Sequence, residues 1–235
     1  MNDATTNSPN HETPETPPME PGREIKVWDL LVRLGHWTLV IAFTIAWLTG
    51  EEESALHIWS GYIIAGVVAL RLCWGVVGTR HARFSDFVRG PRAVFAYLRG
   101  LAAGTAPRYL GHNPAGGAMT VLLLVALAVT TVSGMMVYAI EENAGPLAGF
   151  VASTDAPSPA LGLVPMALAD DDEEENGHRV HEEEGEELWE EIHEVAANLC
   201  LALIILHILG VIASSLAHHE NLPRAMVTGR KRAEN

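Results

Sequence analysis

An all-α membrane protein, a bundle of four transmembrane helices, is the fold class this sequence predicts. Three observations predict it. Of the 235 residues 49% are hydrophobic although the formal net charge is −14, so apolar and acidic residues are segregated along the chain. Four stretches, at about 27–50, 58–77, 119–140 and 195–217, reach the roughly 20 residues that cross a bilayer. Basic residues also fall almost wholly on one side of these spans. Calling the side of the N-terminus side A, fourteen of the 15 Lys and Arg lie there or in the adjoining helix ends, and only Arg179 lies on side B.

Residues 1–22 are polar, proline-rich and acidic, and read as a disordered tail rather than a signal peptide. The membrane domain is expected over 23–220. Span one enters with Trp28 and Trp37, ring types that favour the headgroup region, and carries His36 about three turns in. Alone, His36 reads equally as an interfacial histidine bonded to lipid or backbone. Glu51-Glu52-Glu53 marks a short turn on side B, and His57 opens span two with Gly61 and Gly66 beyond it. The glycines serve either close helix packing or room for a flat macrocycle. Arg71 follows His57 by fourteen residues, and either snorkels to the interface or approaches the acidic groups of a bound cofactor.

The basic linker 78–117 mixes Phe84, Phe87, Phe95 and Leu98 with arginines, predicting one or two interfacial helices. His112 lies in its final turn and reads as a surface or capping residue. Span three holds no histidine; Thr130, Thr131, Ser133 and Gly134 make it a supporting wall. The acidic side-B loop 141–191 is broken by Pro146, Pro157, Pro159 and Pro165, which argues against a fifth span. Its run from Asp170 to Glu175, with His178 and His181 beyond, is open to three readings: a solvated segment, a docking surface for a basic redox partner, or weak metal capture. Glutamates from Glu186 onward are expected to belong already to span four. A basic tail, 221–235, closes the chain.

With four spans both termini lie on side A, which the positive-inside rule makes cytoplasmic. Nine of the 29 Asp and Glu are on side A and 20 on side B, leaving the sides at about +5 and −19. Cys73 and Cys200 both fall within spans and read as buried free thiols. There is no Cys-x-x-Cys-His, which excludes covalent c-type haem attachment.

Span four puts His193 and His207 fourteen residues apart, about 21 Å along a helix axis and within roughly 40° of one face. Ionisable groups in spans are costly and need a partner, so a functional reading is the default. Connectivity matches His193 in depth to His57 and His207 to His36. Neutral imidazoles on facing helices are the axial-ligand chemistry of haem iron. The bundle is therefore expected to enclose two non-covalent b-type haems, one toward each leaflet. Arg71 lies at the depth of the side-A pair, where it could meet the propionates.

The RLGHW around His36, the HIWSG from His57 and the HEVAANLCLALIILH of the last span resemble the bacterial cytochrome b561 and Ni,Fe-hydrogenase b-type cytochrome family. YLGHNPAGG before span three and SSLAHHENLPRAMVTGRKR at the end are similar to its loop signatures, so the resemblance covers about 24–232. It implies a four-helix di-haem electron carrier of the bacterial cytoplasmic membrane, linked to quinone, with ligands at His36, His57, His193 and His207. Its expected partners are membrane lipid, quinone and a periplasmic redox protein such as a c-type cytochrome or hydrogenase-like oxidoreductase, of which it could form the quinone-reactive subunit. Nucleic acid is not expected. The enlarged acidic loop with His178 departs from the family pattern. The other class considered is a divalent-metal transporter or sensor, which would place carboxylates beside the imidazoles at mid-membrane; the spans hold none at their core.

Overall fold

The computed structural model describes residues 24–50, 54–154 and 171–233, and the side chains of all of these but 152–154 and 171–184. The expectations for the tail 1–22 and for the side chains of His178 and His181 lie outside the described residues.

Four helices long and apolar enough to cross a membrane are found among the described residues. The first, α1 (Leu30–Leu48), begins three residues later than hydropathy suggests. Asp29 caps it, accepting from Val32 N–H at 2.9 Å. The helix does not run back further because Asp29 is extended, at φ −75° and ψ 168°, and Val27 and Trp28 before it turn to the C-terminal segment, their N–H groups donating to the Gly229 carbonyl at 2.9 and 3.1 Å. The second, α2 (Ala55–Val77), is capped by Ser54, so His57 stands in its first turn. The basic linker forms a 3₁₀ turn (Arg80–Ala82), α3 (Phe84–Phe87) and α4 (Pro91–Ala102), in keeping with the expected short interfacial helices.

The third span, α5 (Pro114–Glu141), starts five residues earlier than the hydropathy. Asn113-Pro114 reads as a turn in sequence, yet here Asn113 caps Gly116 N–H at 2.7 Å and Pro114 takes the first helical position, where its missing donor costs nothing. A short α6 (Ala148–Thr154) follows.

The fourth span belongs to α7 (Asp171–Ala217), one helix of 47 residues. The acidic run placed in the 141–191 loop is therefore helical from Asp171. Glutamate is a strong helix former, and carboxylates near a helix N-terminus oppose its dipole favourably. At about 1.5 Å per residue α7 is roughly 70 Å long, over twice a hydrocarbon core of about 30 Å. Its apolar part is Gly185–Ala217.

The helices pack as two pairs, α1 on α2 and α5 on α7, joined through α2 and α5. Ala42, Ile64, Val68, Leu124, Ala126, Leu127 and Cys200 form the buried centre. Outward, Leu48, Leu56, Val76 and Leu216 are more than 60% exposed, as lipid-facing side chains should be. Cys73, expected to be buried, is on this exposed surface, whereas Cys200 is fully buried. The helical phase that separates them depends on which faces the neighbours cover.

The C-terminal basic segment is folded. It forms α8 (Leu222–Thr228) and β2 (Arg230–Arg232), the latter paired antiparallel with β1 (Glu24–Lys26) in the register Ile25 to Lys231. Lys231 is buried with its ammonium 3.4 Å from Glu220 and 3.2 Å from the Tyr109 carbonyl; Arg108 pairs with the same carboxylate. This ionic cluster ties both chain ends to the linker on side A.

Candidate functional site

Four histidines meet in two pairs across the seam between α7 and the α1–α2 pair. His36 on α1 faces His207 on α7 with ring centroids 6.5 Å apart and planes at 55°. His57 on α2 faces His193 on α7 at 6.0 Å and 79°. Among the described residues α7 has no extensive backbone contact with either α1 or α2, and meets them through these rings and the core side chains around Cys200. The fourteen-residue step on α7 separates the pairs by about 21 Å in depth.

The spacing within each pair suits a shared metal. Metal–imidazole bonds of about 2.0–2.1 Å on opposite faces of one ion put ring centroids roughly 6 Å apart. The space beside them suits a flat ligand: a Cβ placed at Gly61 or at Gly66 would meet nothing within 4 Å. The residues present thus fit a bis-histidine haem at each level.

The two levels differ in how their imidazoles are held. On side B, His57 Nδ1 lies 2.9 Å from the Ala46 carbonyl, and His193 Nδ1 lies 2.9 Å from the Thr130 carbonyl and 3.3 Å from Ser133 Oγ. Carbonyl oxygens only accept, so both Nδ1 atoms carry the hydrogen and both Nε2 lone pairs remain for a ligand bond. Gly134 makes this possible on α5. A Cβ there would sit 2.7 Å from His193 Cε1. The supporting wall is therefore a direct neighbour of a candidate ligand. On side A, His36 Nδ1 is buried without a hydrogen-bond partner.

Arg71 turns toward the side-A linker. Its guanidinium carbon lies 5.2 and 5.9 Å from the Phe84 and Phe87 ring centroids, and Nη1 is buried without a partner. Arg33 Nε, His112 Nδ1 and Ser215 Oγ are likewise buried and unpartnered, all at the side-A end. Such groups, gathered at the end of the bundle that holds the His36–His207 pair, suit an acidic ligand group.

His112 corrects the sequence reading. It is no cap, since Asn113 fills that role, and it packs edge-on to Trp28 at 4.6 Å and against Phe87 at 4.5 Å. Burial, then the charges of Arg71, Lys231, His207 and His81, push its pKa down to about 3. Its neighbours come from 25 to 84 residues away, so no local signal marks it. Nearby, burial would raise the Asp29 pKa, but hydrogen bonds from Thr79 (2.6 Å), Trp74 (2.9 Å) and the helix N-terminus outweigh it and hold the carboxyl below its usual range.

At the side-B end Glu141, Glu186 and Glu190 bring their carboxylates within 4.8 Å of one another. The group includes no imidazole, which sets it apart from the mixed carboxylate–histidine site a divalent-metal transporter would need.

A family model described as prokaryotic cytochrome b561 matches residues 27–229. No curated protein and no solved structure matches the chain.

Proposed function

Because the chain belongs to the prokaryotic cytochrome b561 family, membrane proteins that bind b-type haem and transfer electrons, we propose that it carries two haems and moves single electrons across the membrane between the quinone pool and a redox partner on side B. The observation that carries this reading is the pair of facing imidazoles at each level, 6.5 and 6.0 Å apart. His36 and His207 would hold the side-A haem, and His57 and His193 the side-B haem. Bound haem iron supplies reversible one-electron chemistry, and two histidine ligands leave it no open position for a substrate.

The protein's own part is to orient, insulate and tune. The Ala46 and Thr130 carbonyls fix the side-B ring tautomers. Arg71 stands ready to pair with propionates on side A. The core around Ala42, Val68, Leu127 and Cys200 lies between the two levels and keeps water out of the path.

The excess of Lys and Arg on side A supports a chain lying in the bacterial cytoplasmic membrane with both termini in the cytoplasm. The acidic side-B end supports a basic partner there, such as a c-type cytochrome or a hydrogenase-like oxidoreductase whose quinone-reactive subunit this chain would be. A reduced-minus-oxidised spectrum with haem quantitation on the purified protein tests the reading. Two b haems per chain are expected, and fewer than two would sink it.

A further inference from the structure

The two levels are built with opposite electrostatics, and this has a thermodynamic consequence. Resting on the four-histidine reading above, we infer that Thr130 and Gly134 are positioning elements that, together with the charges at each level, give the side-B haem the lower midpoint potential.

Three independent features agree in sign. The first is ligand basicity. An imidazole whose Nδ1–H is donated to a carbonyl gains electron density at Nε2 and stabilises the oxidised, more positive iron. Both side-B rings have such a bond, at 2.9 Å each, whereas His36 Nδ1 has no partner. The second is fixed negative charge on side B. Glu190 stands three residues before His193 and clusters with Glu141 and Glu186. Carboxylates favour the ferric state of the nearer haem. The third is fixed positive charge on side A. Arg33 precedes His36 by one helical turn, and Arg71, whose charge is felt by His112 together with that of His207, belongs to the same end. Guanidinium groups favour the ferrous state there.

Gly134 gives the first feature a handle. Its missing side chain is what lets the His193 ring lie against the Thr130 carbonyl, because a Cβ would fall 2.7 Å from Cε1 and 3.0 Å from Nδ1. Alanine is favourable in a helix interior, so Gly134→Ala acts on the ring rather than on α5. Arg71→Gln removes charge at the other level, and Glu186→Gln with Glu190→Gln removes charge beside His193 at the end of the span.

The experiment is a mediated potentiometric titration of the purified full chain, followed in the haem α-band after the haem count. Wild type should show two one-electron components. Gly134→Ala and the double glutamine variant should each raise the lower component and leave the upper in place, and Arg71→Gln should lower the upper component alone. If Gly134→Ala loses a haem, the survivor should titrate at the upper potential. A survivor at the lower potential, or a shift of the opposite component in any variant, overturns the order. So does a single unresolved component from a chain holding two haems. A count below two overturns the ligand assignment itself, and the order with it.

Discussion

His193 Nδ1 lies 2.9 Å from the carbonyl oxygen of Thr130, so a ring on α7 is held by the backbone of α5, the one apolar span without a histidine. The bond joins α5 and α7, which among the described residues are the most extensively packed pair of helices. It also ties the orientation of the candidate ligand to helix packing rather than to the ligand's own rotamer.

Removing a ligand from one level should spare the other, since the two are about 21 Å apart on α7. His207→Ala is expected to abolish one haem and leave the second with its spectrum intact. Pyridine haemochrome quantitation gives the count, and survival of both haems would break the pairing.

The burial of His112 makes an acid-sensitive fold. Its pKa falls from 6.5 to about 3 on folding, so only the unfolded chain takes up the proton between those values. Stability is therefore fully present above pH 6.5 and declines as pH falls toward 3. The His112 contribution to that loss is about 2 kcal/mol between pH 7 and pH 5. Melting temperatures in detergent should drop over this interval for wild type and follow a flatter profile in His112→Phe, which fills the space between Trp28 and Phe87. Parallel profiles would refute the assignment.

Glu220→Gln should loosen the side-A cap. The Lys231 and Glu220 side chains are 6% and 7% exposed, and Arg108 leans on the same carboxylate. Losing the anion strands the buried Lys231 ammonium and unpairs the partly exposed Arg108, a change that costs about 3–5 kcal/mol where a buried pair is broken. Hydrogen exchange at Glu24–Lys26 and Arg230–Arg232 should accelerate while the spans stay protected. Unchanged exchange in both strands would mean the cluster does not hold them.

Salt should slow delivery of electrons at the acidic end. With 20 of 29 Asp and Glu on side B, a basic partner would be steered over distances that salt cuts off, the screening length falling from about 10 Å at 0.1 M to about 3 Å at 1 M. Stopped-flow reduction by a basic c-type cytochrome should show a falling second-order rate as salt rises. A flat rate would remove the acidic segment from docking.

Much of the bundle was legible in the chain. Hydropathy located all four spans, and connectivity alone matched the depths of His36 with His207 and of His57 with His193. The boundaries were less legible where distant contacts decided them. α1 starts at Leu30 because Asp29 caps it while Val27 and Trp28 turn to Gly229, about 200 residues away; α5 starts at Pro114 through a local cap, Asn113, whose Asn-Pro pair reads equally as a turn. The acidic run read as loop because charge without apolar periodicity looks the same in a solvated coil and a solvated helix. Cys73 and Cys200 look alike in sequence, and only the packing of neighbours set one outside and the other within.

What the sequence determined by itself was the number of spans, the charge on each side and the fourteen-residue rail carrying two histidines. These are properties of order along the chain, and helix geometry converts them directly into depth and face. Tertiary structure alone decided which backbone carbonyls receive the side-B imidazoles, why Gly134 must lack a side chain, and that His112 is enclosed between Trp28 and Phe87. Each of these needs an atom from a helix or linker far away in sequence to arrive within a few ångströms, and no local pattern encodes that arrival.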